Sequence, residues 1–94
     1  MAVATKSILV LGRRDHAEAM RVAAGLTIFG HDVRLVLMTG PVEENEANAE
    51  QAELLELADI VPETTVAEMA EMLTVLDAAA LAGAIAGADR VVNL

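Results

Sequence analysis

The chain has no cysteine, tryptophan or tyrosine, and only one phenylalanine, Phe29. Without cysteine there are no disulfides, no thiolate nucleophile, no thiolate-ligated zinc and no iron–sulfur cluster. Two histidines, His16 and His31, fall short of a metal site, so no metal or other cofactor is expected. Glycine-rich phosphate fingerprints are missing too: neither G-x-G-x-x-G nor G-x-x-x-x-G-K-[ST] occurs, which removes the dinucleotide and P-loop readings. The longest apolar run, Ala78 to Ala88, lies between Asp77 and Asp89 and is too short to cross a bilayer. The early apolar run lacks the length of a signal-peptide core, so a cytoplasmic location is expected.

Basic residues are also scarce, with six Lys and Arg against fifteen Asp and Glu. They are unevenly spread. Residues 1–42 carry five bases against three acids, whereas residues 43–94 carry Arg90 alone against twelve acids. Between Glu43 and Glu71 there are ten acids and no base. Such a surface repels nucleic acid and anionic membranes, and neither is an expected partner. The acid run reads either as a solvated helix face that keeps the chain soluble or as a docking face for a basic protein.

What remains is apolar: 55% of the 94 residues are hydrophobic, enough for the core of one domain over 1–94. Alanine, valine, leucine and methionine must fill it. Short β-rich runs alternate with helical stretches, the pattern of an α/β domain with a largely parallel sheet. The first strand is read over Lys6–Leu11, followed by Asp15 as N-cap with Glu18 in a box-like pattern. The first helix extends to Phe29, with Met20, Ala23, Ala24, Thr27 and Ile28 as its inward stripe, and Gly30 ends it.

The second strand is Val33–Met38, stopped by Gly40-Pro41. A helix over Asn45–Ala58 follows, with Ala47, Leu54, Leu55 and Ala58 on its apolar face. Ile60-Val61 is a candidate third strand ended by Pro62; Thr65 and Glu68 form a capping pattern before a short helix, Val66–Met72. Leu73–Leu76 reads as strand four or as a continuation of that helix. Asp77 caps a helix over Ala78–Ala86 that is apolar all round, a type normally buried on more than one side, and a subunit interface would supply the second side. Gly87 ends it, and Arg90–Leu94 is the last strand.

The strand ending Leu-Val-Leu-Gly12, the helix ending Ala23-Ala-Gly-Leu-Thr-Ile-Phe-Gly-His-Asp-Val33, the strand Arg34-Leu-Val-Leu-Met38 and the close Ala88-Asp-Arg-Val-Val92 form a pattern across nearly the whole chain. It resembles the DsrE/DsrF/DsrH-like (TusD/TusC/TusB-like) sulfur-relay family. The resemblance implies a three-layer α/β fold around a central, mainly parallel five-stranded sheet, and assembly as dimers, trimers or hexamers, alone or with relatives of that family. Several members carry persulfide on a cysteine after the third strand. Here that region is Val61-Pro-Glu-Thr-Thr65, and neither Thr64 nor Thr65 can carry one. The resemblance therefore implies a non-catalytic, cysteine-free accessory or structural subunit linked to intracellular sulfur metabolism.

A second expectation comes from the residues. Gly12, Arg13, Arg14 and His16 lie where a strand feeds a helix N-terminus, a common corner for a small anion. Arg13 and Arg14 are either its ligands or solvated loop residues, with Arg14 pairing locally with Asp15 or Glu18. His16 has no evident nucleophile to serve. Glu63, Thr64 and Thr65 follow a strand, at the edge where open α/β sheets place ligands, and complete the candidate set. This reading makes the chain a binding module or enzyme for a small anionic metabolite.

Overall fold

A computed structural model describes residues 6–94. Five strands, β1 (Ser7–Gly12), β2 (Asp32–Leu37), β3 (Glu63–Thr64), β4 (Thr74–Val75) and β5 (Arg90–Asn93), form one sheet in the order β4-β3-β2-β1-β5. Every neighbouring pair is parallel. Three helices connect them: α1 (His16–Ile28), α2 (Glu46–Leu57) and α3 (Ala78–Gly87). The chain steps from β1 through β4 in one direction, then returns by α3 to the far side of β1. That reversal makes β1 an interior strand, flanked by β2 and β5, and puts a topological switch between β1 and β5.

Both faces of β1 must be covered, which explains its near-continuous apolar sequence. Side chains alternate across the sheet. Ile8, Val10, Leu35 and Leu37 meet Ala19, Met20, Ala23 and Ala24 of α1 and Leu55 of α2. Leu9, Leu11 and Val36 point the other way, toward Leu81 and Ala84 of α3. Three layers result.

Local signals set the helix starts. Asp15 Oδ1 accepts from the Glu18 N–H at 3.0 Å, Asn45 Oδ1 from Asn48 at 2.8 Å and Asp77 Oδ1 from Ala80 at 2.7 Å. The reciprocal half of the box at Asp15 is not made, because the Glu18 carboxylate turns to Arg21, whose Nε donates at 2.9 Å. Arg21 holds the Glu18 carboxyl below the usual carboxylate range by this bond. The pair therefore contributes above the unfolded-state value and is lost as pH falls through the folded one. Gly30, at φ +86°, ends the turn after α1.

Several boundaries differ from the sequence expectation. The buried stripe of α1 is Ala19, Met20, Ala23 and Ala24, while Ile28 is 81% exposed. The helix runs antiparallel to β1, so its last turn overlies strand ends carrying Ser7 and Asp32 and finds no apolar floor. On α2 only Leu55 is buried; Ala47 and Leu54 are exposed. The third strand is Glu63–Thr64, not Ile60-Val61. Ile60 is used in the core beside Leu55, Asp59 reverses the chain at φ +60°, and Pro62 has no N–H for a ladder. Pairing with β2 begins at Glu63, opposite Val36.

The short helix is a single 3₁₀ turn, Ala67–Met69, and no side chain caps it. The Val66 N–H donates instead to the Thr64 hydroxyl, at 3.0 Å. Leu73–Leu76 contributes only Thr74–Val75, as a strand paired solely with the two-residue β3 can contribute no more.

Gly12 fixes how closely α1 approaches the sheet. A Cβ at this position would stand 3.0 Å from Ala19 Cβ and 3.1 Å from a Leu37 methyl. Gly12→Ala should therefore destabilise the fold by about 1–3 kcal/mol through overpacking, measured by urea unfolding. Unchanged stability would mean that α1 is free to move outward.

Candidate functional site

In a parallel sheet every strand ends at the same edge, so the loops after β1, β2 and β5 meet. Residues 13–15 follow β1, Thr39-Gly40-Pro41 follow β2, and Leu94 follows β5. Hydrogen bonds tie the three together. The Arg14 and Asp15 N–H groups donate to the Leu94 carbonyl at 3.2 and 3.0 Å, and the Leu94 N–H donates to Leu11 at 2.9 Å. The Thr39 hydroxyl donates to the Arg13 carbonyl at 2.7 Å. His16 lies 2.8 Å from the Met38 carbonyl through Nε2, so Nε2 carries the proton and the ring bridges α1 to the end of β2.

Between the loops lies a cavity of about 490 Å³, lined by Arg13, Arg14, His16, Thr39, Asn45 and Asn48 among others. The first turns of both α1 and α2 border it, so two helix N-termini add positive potential. A smaller hollow of about 170 Å³, between Arg13, Arg14, Asn93 and Leu94, adjoins it at the β1/β5 switch.

Among the described residues the ion pairs are Arg21–Glu18 and Arg34–Glu63. Neither Arg13 nor Arg14 takes part in one, and both are exposed on the cavity. The local pairing of Arg14 with Asp15 or Glu18 is not made, because Asp15 caps α1 and Glu18 binds Arg21. In a chain with fifteen acids, two arginines that form no ion pair among the described residues stand out, although Asp15 and Glu43 line the same cavity. Chemically the corner can hold a small oxyanion by charge-assisted bonds.

The structure brings Arg13, Arg14 and His16 together. Gly12 lies beneath them, buried, and serves packing rather than ligand approach. Glu63, Thr64 and Thr65 do not line the cavity. Glu63 makes a two-point contact with Arg34, at 2.9 Å for both bonds, on the face of the sheet shared with Val36. Arg34 is raised from its ordinary value by this bond. Thr64 is fully buried; its hydroxyl donates to the Leu37 carbonyl at 2.6 Å. The Thr65 N–H also donates to Leu37, at 3.2 Å. These three residues anchor β3 to β2.

Sequence reasoning missed Thr39, Asn45 and Asn48. Asn45 was read only as the first residue of the second helix, which it caps instead. Thr39 adopts φ +82°, a left-handed conformation rare for a β-branched residue, and no local sequence signal announces it. No protein-family model, curated protein or solved structure matches the chain.

Thr64→Val should cost about 1–3 kcal/mol, because it leaves the buried Val66 N–H without its acceptor. Chemical denaturation checks this. A neutral outcome would remove Thr64 as the anchor of β3.

Proposed function

We propose that this chain is a small-anion binding module whose site is the corner between the ends of β1, β2 and β5. The observation that carries this reading is the pair Arg13 and Arg14, which form no ion pair among the described residues and face one cavity between two helix N-termini. The corner has donors for a phosphate, sulfate or thiosulfate-type group but offers no nucleophile. Binding rather than turnover is the proposed activity. Glu43 also lines the cavity and favours an anion that carries a hydroxyl or amine donor beside its charged group. A phosphorylated or sulfur-containing metabolite fits that description.

Thermal shift and calorimetry with phosphoserine, inorganic sulfate and thiosulfate test the reading. Saturation at about a hundredfold over Kd should add about 2.7 kcal/mol of stability. Each arginine contributes a charge-assisted bond, so Arg13→Ala and Arg14→Ala should each weaken binding by about tenfold or more. No stabilisation by any of these anions at millimolar concentration would reject the reading.

A second reading is favoured by α3. It has no polar side chain, and none of its ten residues is buried. Only Leu81 and Ala84 lean on the sheet; Ala82, Gly83, Ile85 and Ala86 face outward. A charge-free face on so acidic a chain is where copies can approach without repulsion. This favours self-association through α3 and the edge strand β5, the assembly expected of the non-catalytic, DsrE-like subunit linked to sulfur metabolism. Light scattering should return a multiple of the 9.8 kDa chain mass, and Ala82→Glu should reduce it to 9.8 kDa. A wild-type monomer at micromolar concentration would contradict the assembly.

A further inference from the structure

Next to the arginine corner, and sharing Pro41, Glu43, Asn45 and Asn48 with it, a second hollow runs between α2 and the 3₁₀ turn after β3. Its wider part, about 670 Å³, continues into a part of about 310 Å³, and the two share Val42, Asn48, Ala52, Met69 and Met72. The floor is apolar, with Leu55 and Ile60 closing the deeper end. Met69 is buried beneath it, but Met72 is 80% exposed, a large apolar side chain left in water at the groove mouth. Methionine is the side chain best able to remodel itself around an incoming apolar surface.

The charged residues lining the groove are all acidic. Glu43, Glu44, Glu46 and Glu68 line the wider part and Glu56 the narrower. Among the described residues none of the five joins an ion pair, and no Lys or Arg lines either part. An apolar floor with carboxylates at both ends fits an amphipathic cationic occupant. We propose that this groove seats a basic amphipathic helix of a partner protein, its apolar face on Met69 and Met72 and its Lys or Arg side chains on the glutamate rim.

The charge pattern excludes the other occupants. Anionic lipid and nucleic acid are repelled by the rim. A second copy offers no matching helix: α1 carries a single Lys or Arg, Arg21, already bound to Glu18, and α2 and α3 carry none. Length sets the scale of the partner helix. The groove runs beside the 12 residues of α2, about 18 Å of helix, so three to four turns of the occupant are in contact.

The test uses the intact chain and a fluorescently labelled model peptide of leucine and lysine, with its leucines on one helical face. A scrambled peptide of the same composition is the comparator. The helical peptide should bind about tenfold more tightly than the scrambled one, and more weakly as salt rises. Met72→Gln leaves the charge unchanged and should weaken binding by about fivefold through the lost apolar contact. Glu44→Gln with Glu68→Gln should weaken it further than Glu50→Gln with Glu53→Gln, which removes the same charge from α2 outside the groove. Circular dichroism confirms that each variant is folded, and Met72, being exposed, is a site where folding is not at risk. Equal binding of the two peptides, or equal losses for the two glutamate pairs, would reduce the interaction to general charge attraction and overturn the proposal. A change in oligomeric mass caused by Met72→Gln would identify a second copy as the occupant and would overturn it as well.

Discussion

The close approach of α1 to the end of β1 is the constraint on which the rest depends. It is possible because residue 12 has no side chain: Ala19 and a Leu37 methyl already fill the space a Cβ would take. With α1 held there, His16 reaches the Met38 carbonyl, and the turn over Arg13 and Arg14 is tied to the loop after β2 through Thr39. The last residue of the sheet edge, Leu94, closes the third side by accepting two N–H groups from the same turn. A loop fixed in this way presents its arginines from a defined position, which lowers the ordering cost of holding a ligand.

Charge is segregated around this frame. Arg13 and Arg14 stand at the strand-end corner beside Asp15 and Glu43, negative charge follows α2 and the turn after β3, and α3 has none. Each surface reflects what packs beneath it. The layer between the sheet and α1 and α2 has ten buried core residues, four of them on the strands, and can tolerate a polar exterior. The opposite face has three, Leu9, Leu11 and Val36, under a helix of alanine, glycine, leucine and isoleucine that is held to the sheet along one line. Glu43 lines both the arginine cavity and the acidic groove, so the loop at residues 41–45 is where the two meet.

Much of this order was legible in the sequence, and the parts that were not share a cause. The alternation of apolar strands and capped helices is local information, and Asp15, Asn45 and Asp77 start helices as their side-chain chemistry dictates. A largely parallel sheet follows from that alternation; in the structure every neighbouring pair is parallel. The extent of β3 and β4 was not legible, because two-residue strands are set by the register of their neighbours rather than by propensity. Ile60 looked like a strand residue and was taken by the core. Thr64 and Thr65 looked like ligands because they follow a strand, yet the Thr64 hydroxyl is needed to hold that strand in place. The arginine corner was visible as a strand–turn–helix junction, but its second wall, from Thr39 to Asn48, depends on strand order and a left-handed threonine. Sequence periodicity carries neither.

The most direct test of the central claim is an NMR titration of the backbone amides with phosphoserine. An anion held at the corner should shift the amides of residues 13–17 and 39–48 in a saturable way, and leave those of residues 63–66 unmoved. Shifts centred on residues 63–66, or none in residues 13–17, would contradict it.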